Sequence, residues 1–154
     1  MHGYQHTAVN ITATTLLCGT LAVLHFPITA AAVGAGLLFG TLFVTPDLDL
    51  QLNDARRRWG ALKFIWGPYA ALSRHRGRSH TYLFGPTVRL LYLALWLALP
   101  IILVQHFSPQ MLPPRFALNV TVLFLLGYFI AQWLHLICDG IFPFAQPARG
   151  RRPS

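Results

Sequence analysis

Glutamate is missing altogether from this chain, and aspartate occurs only at positions 47, 49, 54 and 139. Charged residues make up 10% of the sequence, too few to clothe the surface of an ordinary soluble domain. There are two cysteines, Cys18 within the first apolar run and Cys138 at the end of the last, with no spacing that suits a cysteine-based zinc site. The two are expected at different depths of a bilayer, which argues against a disulfide. No basic segment precedes the first apolar run and no convincing small-residue cleavage site follows it, so it is expected to be a retained helix rather than a signal peptide.

What the chain does contain is long apolar runs. Hydrophobic residues make up 55% of the sequence and the mean hydropathy is +0.50. They are gathered into stretches rather than spread at helical or strand spacing, the pattern that a lipid solvent selects. Four runs are expected to span, at residues 7–26, 28–44, 82–105 and 116–138. Pro27 stops the first, the proline of TPDLD stops the second, and the third reaches back past Leu90 if Arg89 snorkels to the interface. The fold class is therefore all-α: an integral membrane four-helix protein, with residues 1–145 as one membrane-embedded domain and 146–154 as a basic tail. An apolar soluble bundle is disfavoured, because helices this uniform leave no polar outer face.

The net charge of +8 has a topological distribution. Arg56, Arg57, Arg58, Lys63, Arg74, Arg76 and Arg78 lie between the second and third runs, and Arg149, Arg151 and Arg152 follow the fourth; only Arg115 falls on the other side. The positive-inside rule then places both termini and the central loop in the cytoplasm. Membrane lipids are the expected partners and nucleic acid is not, since basic residues beside an anionic leaflet need no further explanation. Trp59, Phe64, Trp66 and Tyr69 interleave with these cations, as in a segment lying in the headgroup layer, and Gly60, Gly67 and Pro68 divide it into short interfacial helices.

This topology, drawn from arginine and lysine alone, gathers nearly all the remaining ionisable residues at one face. His6 precedes the first span, Asp47 and Asp49 follow the second, His75 and His80 precede the third, and His135 and Asp139 close the fourth. His135 and Asp139 are four apart and share a helix face, as paired metal ligands do. Asp47 and Asp49 would repel each other at a membrane boundary unless a cation neutralised them, and their spacing lets one face a metal and the other a second metal or a histidine. In SRHRGRSH, His75 and His80 offer nitrogen ligands while Arg74, Arg76 and Arg78 crowd a cationic centre, which makes sense only if an anion such as phosphate binds there too.

The expectation is a centre of two divalent ions, zinc or manganese, on His6, Asp47, Asp49, His75, His80, His135 and Asp139. Asp49 and His80 are expected to be central to catalysis, with Arg76 and Arg78 clamping the phosphate. Ser79 is given a supporting role. His2, His25 and His106 fall outside this set, the first near the terminus and the others on the far side.

The ordered set of an N-terminal histidine, PDLD after a hairpin, HR followed by SH, and a late HxxxD resembles inner-membrane metal-dependent hydrolases of the YdjM-like superfamily. It is most similar to their branch of uncharacterised metal-binding proteins from cyanobacteria and other bacteria. The likeness runs from Gly3 to about Phe144 and includes RRWGALKFIWGPY. It implies a multi-pass protein of the bacterial inner membrane in which those seven residues bind metal. It also implies phosphoester hydrolysis, with a phospholipid or lipid phosphate as substrate. Thr7 stands where this branch is expected to carry an acidic residue. Rival readings are a metal carrier or sensor, disfavoured by the lack of a mid-membrane acid, and a non-enzymatic scaffold in which metal ties the helix ends together.

Overall fold

A computed structural model describes residues 3–50, 53–73, 80–108 and 117–143. Among these the chain is helical and contains no strand. The helices are α1 (Gly3–Val23), α2 (Pro27–Leu42), α3 (Asp54–Arg58), α4 (Trp66–Leu72), α5 (Phe84–Phe107) and α6 (Leu118–Cys138), with 3₁₀ turns at Pro46–Asp49 and Gly60–Ile65. Four segments are long and apolar enough to cross a membrane: Tyr4–Val23, Pro27–Asp49, Phe84–Phe107 and Leu118–Cys138.

The first span differs from its expected limits. It starts at the N-terminal end of the described chain, so His6 lies within the helix rather than before it, and it ends at Val23 rather than Phe26. The end is a Schellman motif: Phe26 N–H bonds Leu21 O at 2.8 Å and His25 N–H bonds Ala22 O at 3.0 Å. His25 supplies the left-handed residue (φ 61°) in the place where glycine usually stands, so the visible stop signal was Pro27 and the expected end fell at Phe26. Pro27 then opens α2 at a position where its missing N–H costs nothing. The third span is displaced by two residues to Phe84–Phe107.

The core of the bundle is the crossing of α2 and α6. Gly36 of α2 meets the Phe124 and Tyr128 backbone, and Gly127 of α6 meets the Val33 and Leu37 backbone. Any Cβ at either position would overlap the opposing carbonyl oxygen, so only glycine lets the axes come this close. Small-residue contacts of this kind hold helices together where lipid removes the hydrophobic drive for association. Helix α1 lies against α2, while α5 is anchored by its first turns, where Gly85, Pro86, Arg89 and Leu93 are buried.

The central segment departs from a purely interfacial layout. Trp66 and Tyr69 are buried among Val44, Leu48, Leu93 and Tyr128, and only Phe64 of the four aromatic residues is largely exposed. Tyr92 donates its hydroxyl to Ile65 O, and Trp59 Nε1 donates to Phe43 O at 2.9 Å, tying the loop to α5 and α2. The short helices form as anticipated, but their aromatic faces cap the bundle.

Gly36→Ala and Gly127→Ala are each expected to lower stability by about 2 kcal/mol or more through forced separation of α2 and α6. Gly19→Ala, where a methyl group meets nothing within 4 Å, is expected to be neutral or slightly stabilising. Thermal unfolding of detergent-solubilised variants measures the difference.

Candidate metal centre

Each ligand-bearing segment is held by its own local chemistry. After α2, Thr45 is extended and Pro46 starts a 3₁₀ turn closed by Leu48 N–H to Thr45 O (3.3 Å) and Leu50 N–H to Asp47 O (2.9 Å). That turn buries Leu48 in the core and sets the two acids against opposite edges of the His80 ring. Asn53 clamps it from outside: its Nδ2 donates to Asp47 O (2.6 Å) and Leu50 O (2.8 Å), while its Oδ1 accepts from Arg56 N as the cap of α3.

At the far end of the chain, Gly140 (φ 75°) closes α6 in a second Schellman motif, with Ile141 N–H bonding Leu136 O at 2.9 Å. Asp139 is thereby held at the helix cap, one turn beyond His135. The segment carrying His80 is pinned to this end by Tyr82, whose hydroxyl donates to Ile141 O (2.7 Å) and whose carbonyl accepts from Trp133 Nε1 (2.9 Å).

These devices converge. Asp47, His80, His135 and Asp139 each offer a ligand atom within 4.8 Å of all the others. His135 Nε2 lies 3.5 Å from Asp47 Oδ2 and 3.4 Å from Asp139 Oδ2, and His80 Nε2 lies 3.9 Å from Asp47 Oδ1. His80 Nδ1, on the other edge of the ring, faces Asp49 Oδ2 at 3.5 Å with both side chains fully buried. His6 stacks on His135 with centroids 4.2 Å apart and points Nε2 at Asp139 Oδ1, 3.3 Å away.

The donors fit a divalent ion. His135 Nε2 is buried and makes no hydrogen bond of acceptable geometry, although two carboxylates flank it. Ligands around a tetrahedral ion at bond lengths of about 2.0–2.2 Å stand roughly 3.3–3.6 Å apart. The gaps about His135 match that edge length and are too wide for strong hydrogen bonds. Asp49 behind His80 and His6 behind Asp139 have the placement of partners that orient ligands. Asp139 lies outside the spans: burial raises its carboxyl pKa, but the adjacent His135 imidazole and, beyond it, His6 outweigh this and hold it below the ordinary value.

Of the seven ligands expected from sequence, six meet at one end of the bundle, four in the tight cluster and Asp49 and His6 against it. His75, together with the proposed phosphate clamps Arg76 and Arg78 and with Ser79, lies outside the described residues, as do His2, Arg74 and the basic tail. His25 and His106 are exposed and take no part. Cys18 and Cys138 are free thiols.

Three buried polar residues were not recognised as parts of this end of the molecule. Arg89 does not snorkel: it is completely buried and donates through Nη2 to Gln132 Oε1 at 2.9 Å. Gln132 Nε2 in turn donates to Val44 O (2.8 Å) and Gly40 O (3.3 Å), so one network ties α5 and α6 to the end of α2 from which Asp47 hangs. A glutamine acceptor one turn before His135 turns the arginine inward, where lipid would leave its charge unsolvated. Asn10 of α1 bonds Thr41 Oγ1 and Ala131 O, both at 3.1 Å, and continues a buried stripe of His6, Asn10 and Thr14. Their spacing of four was the available signal, hidden by the expectation that the span began after His6.

Beside the cluster lies a pocket of about 290 Å³, lined by His6, Asn10, Thr41, Thr45, Asp47 and His135 from the bundle and by Asn53, Asp54 and Arg58 from the segment that follows. Arg58 is the cation of this lining; Asp54 also faces Arg57, at 3.7 Å.

The fold and this cluster define a helical protein with four candidate membrane spans and a carboxylate–imidazole site suited to metal. The chain belongs to the family described as "Uncharacterized metal-binding protein (DUF2227)", whose model matches residues 1–148. An uncharacterized protein of Aquifex aeolicus (strain VF5) is 48% identical over 60 residues, 39% of this chain and 43% of that protein. The chain therefore aligns with less than half the length of that relative. Neither match extends to the wider YdjM-like superfamily, and no solved structure gives a significant match.

The network and Asp139 generate two expectations. Gln132→Leu and Arg89→Leu should each cost about 1.5–3 kcal/mol, and the double variant less than the sum, because each single change strands a buried polar partner. Additive losses in thermal unfolding would show that the two residues act independently. In metal-free protein, Asp139 contributes stability that is complete above the ordinary carboxylate pKa of about 3.9 and is lost as pH falls through its lower folded value. His135→Ala removes the group that depresses it, so the acid-unfolding midpoint should move to higher pH.

Proposed function

We propose that this protein is a membrane-bound, metal-dependent hydrolase that cleaves a phosphoester, a phospholipid or lipid phosphate, at the cytoplasmic surface of a bacterial inner membrane. The observation that carries the reading is the polar pocket opening beside the ligand cluster through His135 and Asp47. A structural ion is enclosed by its ligands, whereas a catalytic one adjoins space for substrate.

In this reading Asp47, His80, His135 and Asp139 hold the ion, and their mixed oxygen and nitrogen donors suit zinc or manganese. A divalent ion bound there would supply Lewis acidity and, on taking a water beyond these four ligands, would lower the pKa of that water. Asp49 fixes the orientation of His80, and His6, stacked on His135, supports Asp139 through the other carboxylate oxygen. Arg58 meets the anionic group at the pocket, and Arg76 and Arg78 serve as further clamps. The described cluster provides one four-ligand set; the second ion expected from sequence draws on His75. The cytoplasmic orientation rests on the excess of arginine and lysine in the central loop and tail.

Elemental mass spectrometry of detergent-purified protein should find one to two transition-metal ions per chain, lost in His135→Ala/Asp139→Ala. Activity against a panel of phosphoesters and phospholipids should vanish in Asp47→Ala. It should fall about 10- to 100-fold in Asp49→Ala, the usual loss for a residue that orients a ligand. A protein that retains its metal yet hydrolyses no member of the panel would overturn the enzymatic reading and leave the ion as a clip joining the helix ends.

A further inference from the structure

The 3₁₀ turn at Gly60–Ile65 links two short helices at the metal-centre end of the bundle, yet its own neighbours lie deeper. Phe64 packs edge-on against Trp96, with ring centroids 5.8 Å apart, and Tyr92 donates its hydroxyl to Ile65 O. Helix α5 starts at Phe84, four residues after His80, so Tyr92 and Trp96 stand about 12 and 18 Å along its axis from that start. Trp66, which follows the turn, shares a core cluster with Leu93 and Tyr128. On α6, Tyr128 precedes His135 by seven residues and lies about 10 Å further from the ligand end. Two helices running in opposite directions thus give one answer: the chain descends past the metal centre at this turn. Helix α4 brings it back, since Tyr69 packs among Val44 and Leu48, beside Asp47 and Asp49.

Side chains on α5 lean back about one turn toward its N-terminus, which still leaves the Phe64 ring about 12 Å below the start of the helix. The Phe84–Phe107 span is about 36 Å long and overhangs a hydrocarbon layer of about 30 Å by about 3 Å at each end. The ring therefore sits beneath the headgroups. Leu62 and Phe64 are 51% and 58% exposed, and Leu91 and Leu95, next to Tyr92 and Trp96 on α5, are exposed as well. At this depth such a surface meets acyl chains.

The hydrogen bonds of the turn suit the same surroundings. Non-helical backbone is tolerated at membrane depth only where the protein satisfies its polar groups. Besides the bond from Tyr92, Lys63 O accepts from Arg56 Nε at 3.3 Å, and Trp66 N–H is shared by Lys63 O and Phe64 O. Leu62 N–H bonds Trp59 O at 2.9 Å. The carbonyls left over at the end of α2 are covered too, Leu42 O by Arg58 Nη1 and Phe43 O by Trp59 Nε1. Exposed Arg57 and Lys63 flank the apolar tip, and their long stems let the charges reach lipid phosphates.

We propose that residues 59–65 form a re-entrant wedge in the leaflet on the metal-centre side, with Leu62 and Phe64 against acyl chains and Arg57 and Lys63 among the phosphates. The wedge hangs from α3, whose cap Asn53 clamps the turn carrying Asp47 and whose last residue, Arg58, lines the pocket. It thereby holds the ligand cluster and the pocket at headgroup level, in reach of lipid without extraction from the bilayer. The placement requires neither hydrolysis nor a particular orientation of the protein, so failure of the hydrolase reading leaves it standing.

Spin-label accessibility measures this depth. Single cysteines at Leu62, Leu95 and Asp54 are introduced into full-length protein whose Cys18 and Cys138 are replaced by alanine. They are labelled in detergent and reconstituted into nanodiscs of phosphatidylcholine and phosphatidylglycerol. Oxygen concentrates among acyl chains and a nickel chelate in water. The ratio of oxygen to chelate collisions at Leu62→Cys should match that at Leu95→Cys on α5. It should exceed that at exposed Asp54→Cys by about 10-fold, as the partitioning of apolar and charged solutes dictates. If Leu62→Cys does not fold, Ala61→Cys, exposed on the same turn, takes its place. A ratio on the turn equal to that at Asp54→Cys would overturn the proposal. Leu62→Asp, in the native-cysteine protein, should lower the thermal unfolding midpoint in the same nanodiscs by about 5 °C, because it carries a charge into hydrocarbon. An unchanged midpoint would place Leu62 in water and overturn the wedge.

Discussion

The backbone contact between α2 and α6 is the constraint on which the rest of the structure depends. Asp47 stands just beyond the end of α2, and His135 and Asp139 stand on the last turn of α6 and its cap. Their meeting requires the two helices to run closely enough that carboxylate and imidazole atoms end 3.5 Å apart. Gly36 and Gly127 allow that approach, and the Gln132 side chain fixes the register of the crossing by bonding Gly40 O and Val44 O. In a lipid solvent, packing and hydrogen bonds of this sort take the place of hydrophobic association.

The same end of the molecule concentrates charge that a bilayer tolerates poorly. Three of the four acids lie there, with three histidines against them and Arg89 buried a short way below. Carboxylates in such surroundings need positive partners, which here are imidazoles facing them at 3.3–3.9 Å. Metal binding by this arrangement follows from the electrostatics: a divalent ion relieves the mutual repulsion of Asp47, Asp49 and Asp139 more completely than protonated imidazoles do.

The all-α architecture and the four apolar spans were legible in the sequence because uniform apolar runs leave few alternatives. The convergence of Asp47, His80, His135 and Asp139 was legible because strict up-and-down topology returns alternate helix ends to one side. What escaped was whatever depends on tertiary partners. Arg89 turns inward only because Gln132 awaits it, 43 residues later. Trp66 and Tyr69 look like headgroup aromatics until Leu93 and Tyr128 close over them. The end of α1 went unseen because a histidine occupies the left-handed position that glycine usually marks, and a span displaced toward the C-terminus hid the stripe running through Asn10. Pocket chemistry was the least legible, since Arg58 and Asn10 are 48 positions apart and line one pocket only once α3 has packed beside α2.

The ligand set also has an order in time. A nascent chain displays Asp47 as soon as the α1–α2 hairpin has been made, but His135 and Asp139 appear only after the last transmembrane segment has left the ribosome. No translation product that stops before the last turn of α6 holds more than half of the four-ligand cluster. Metal capture is thus a terminal event of biogenesis, and a loaded centre reports that every span has been inserted and that the last has found the second.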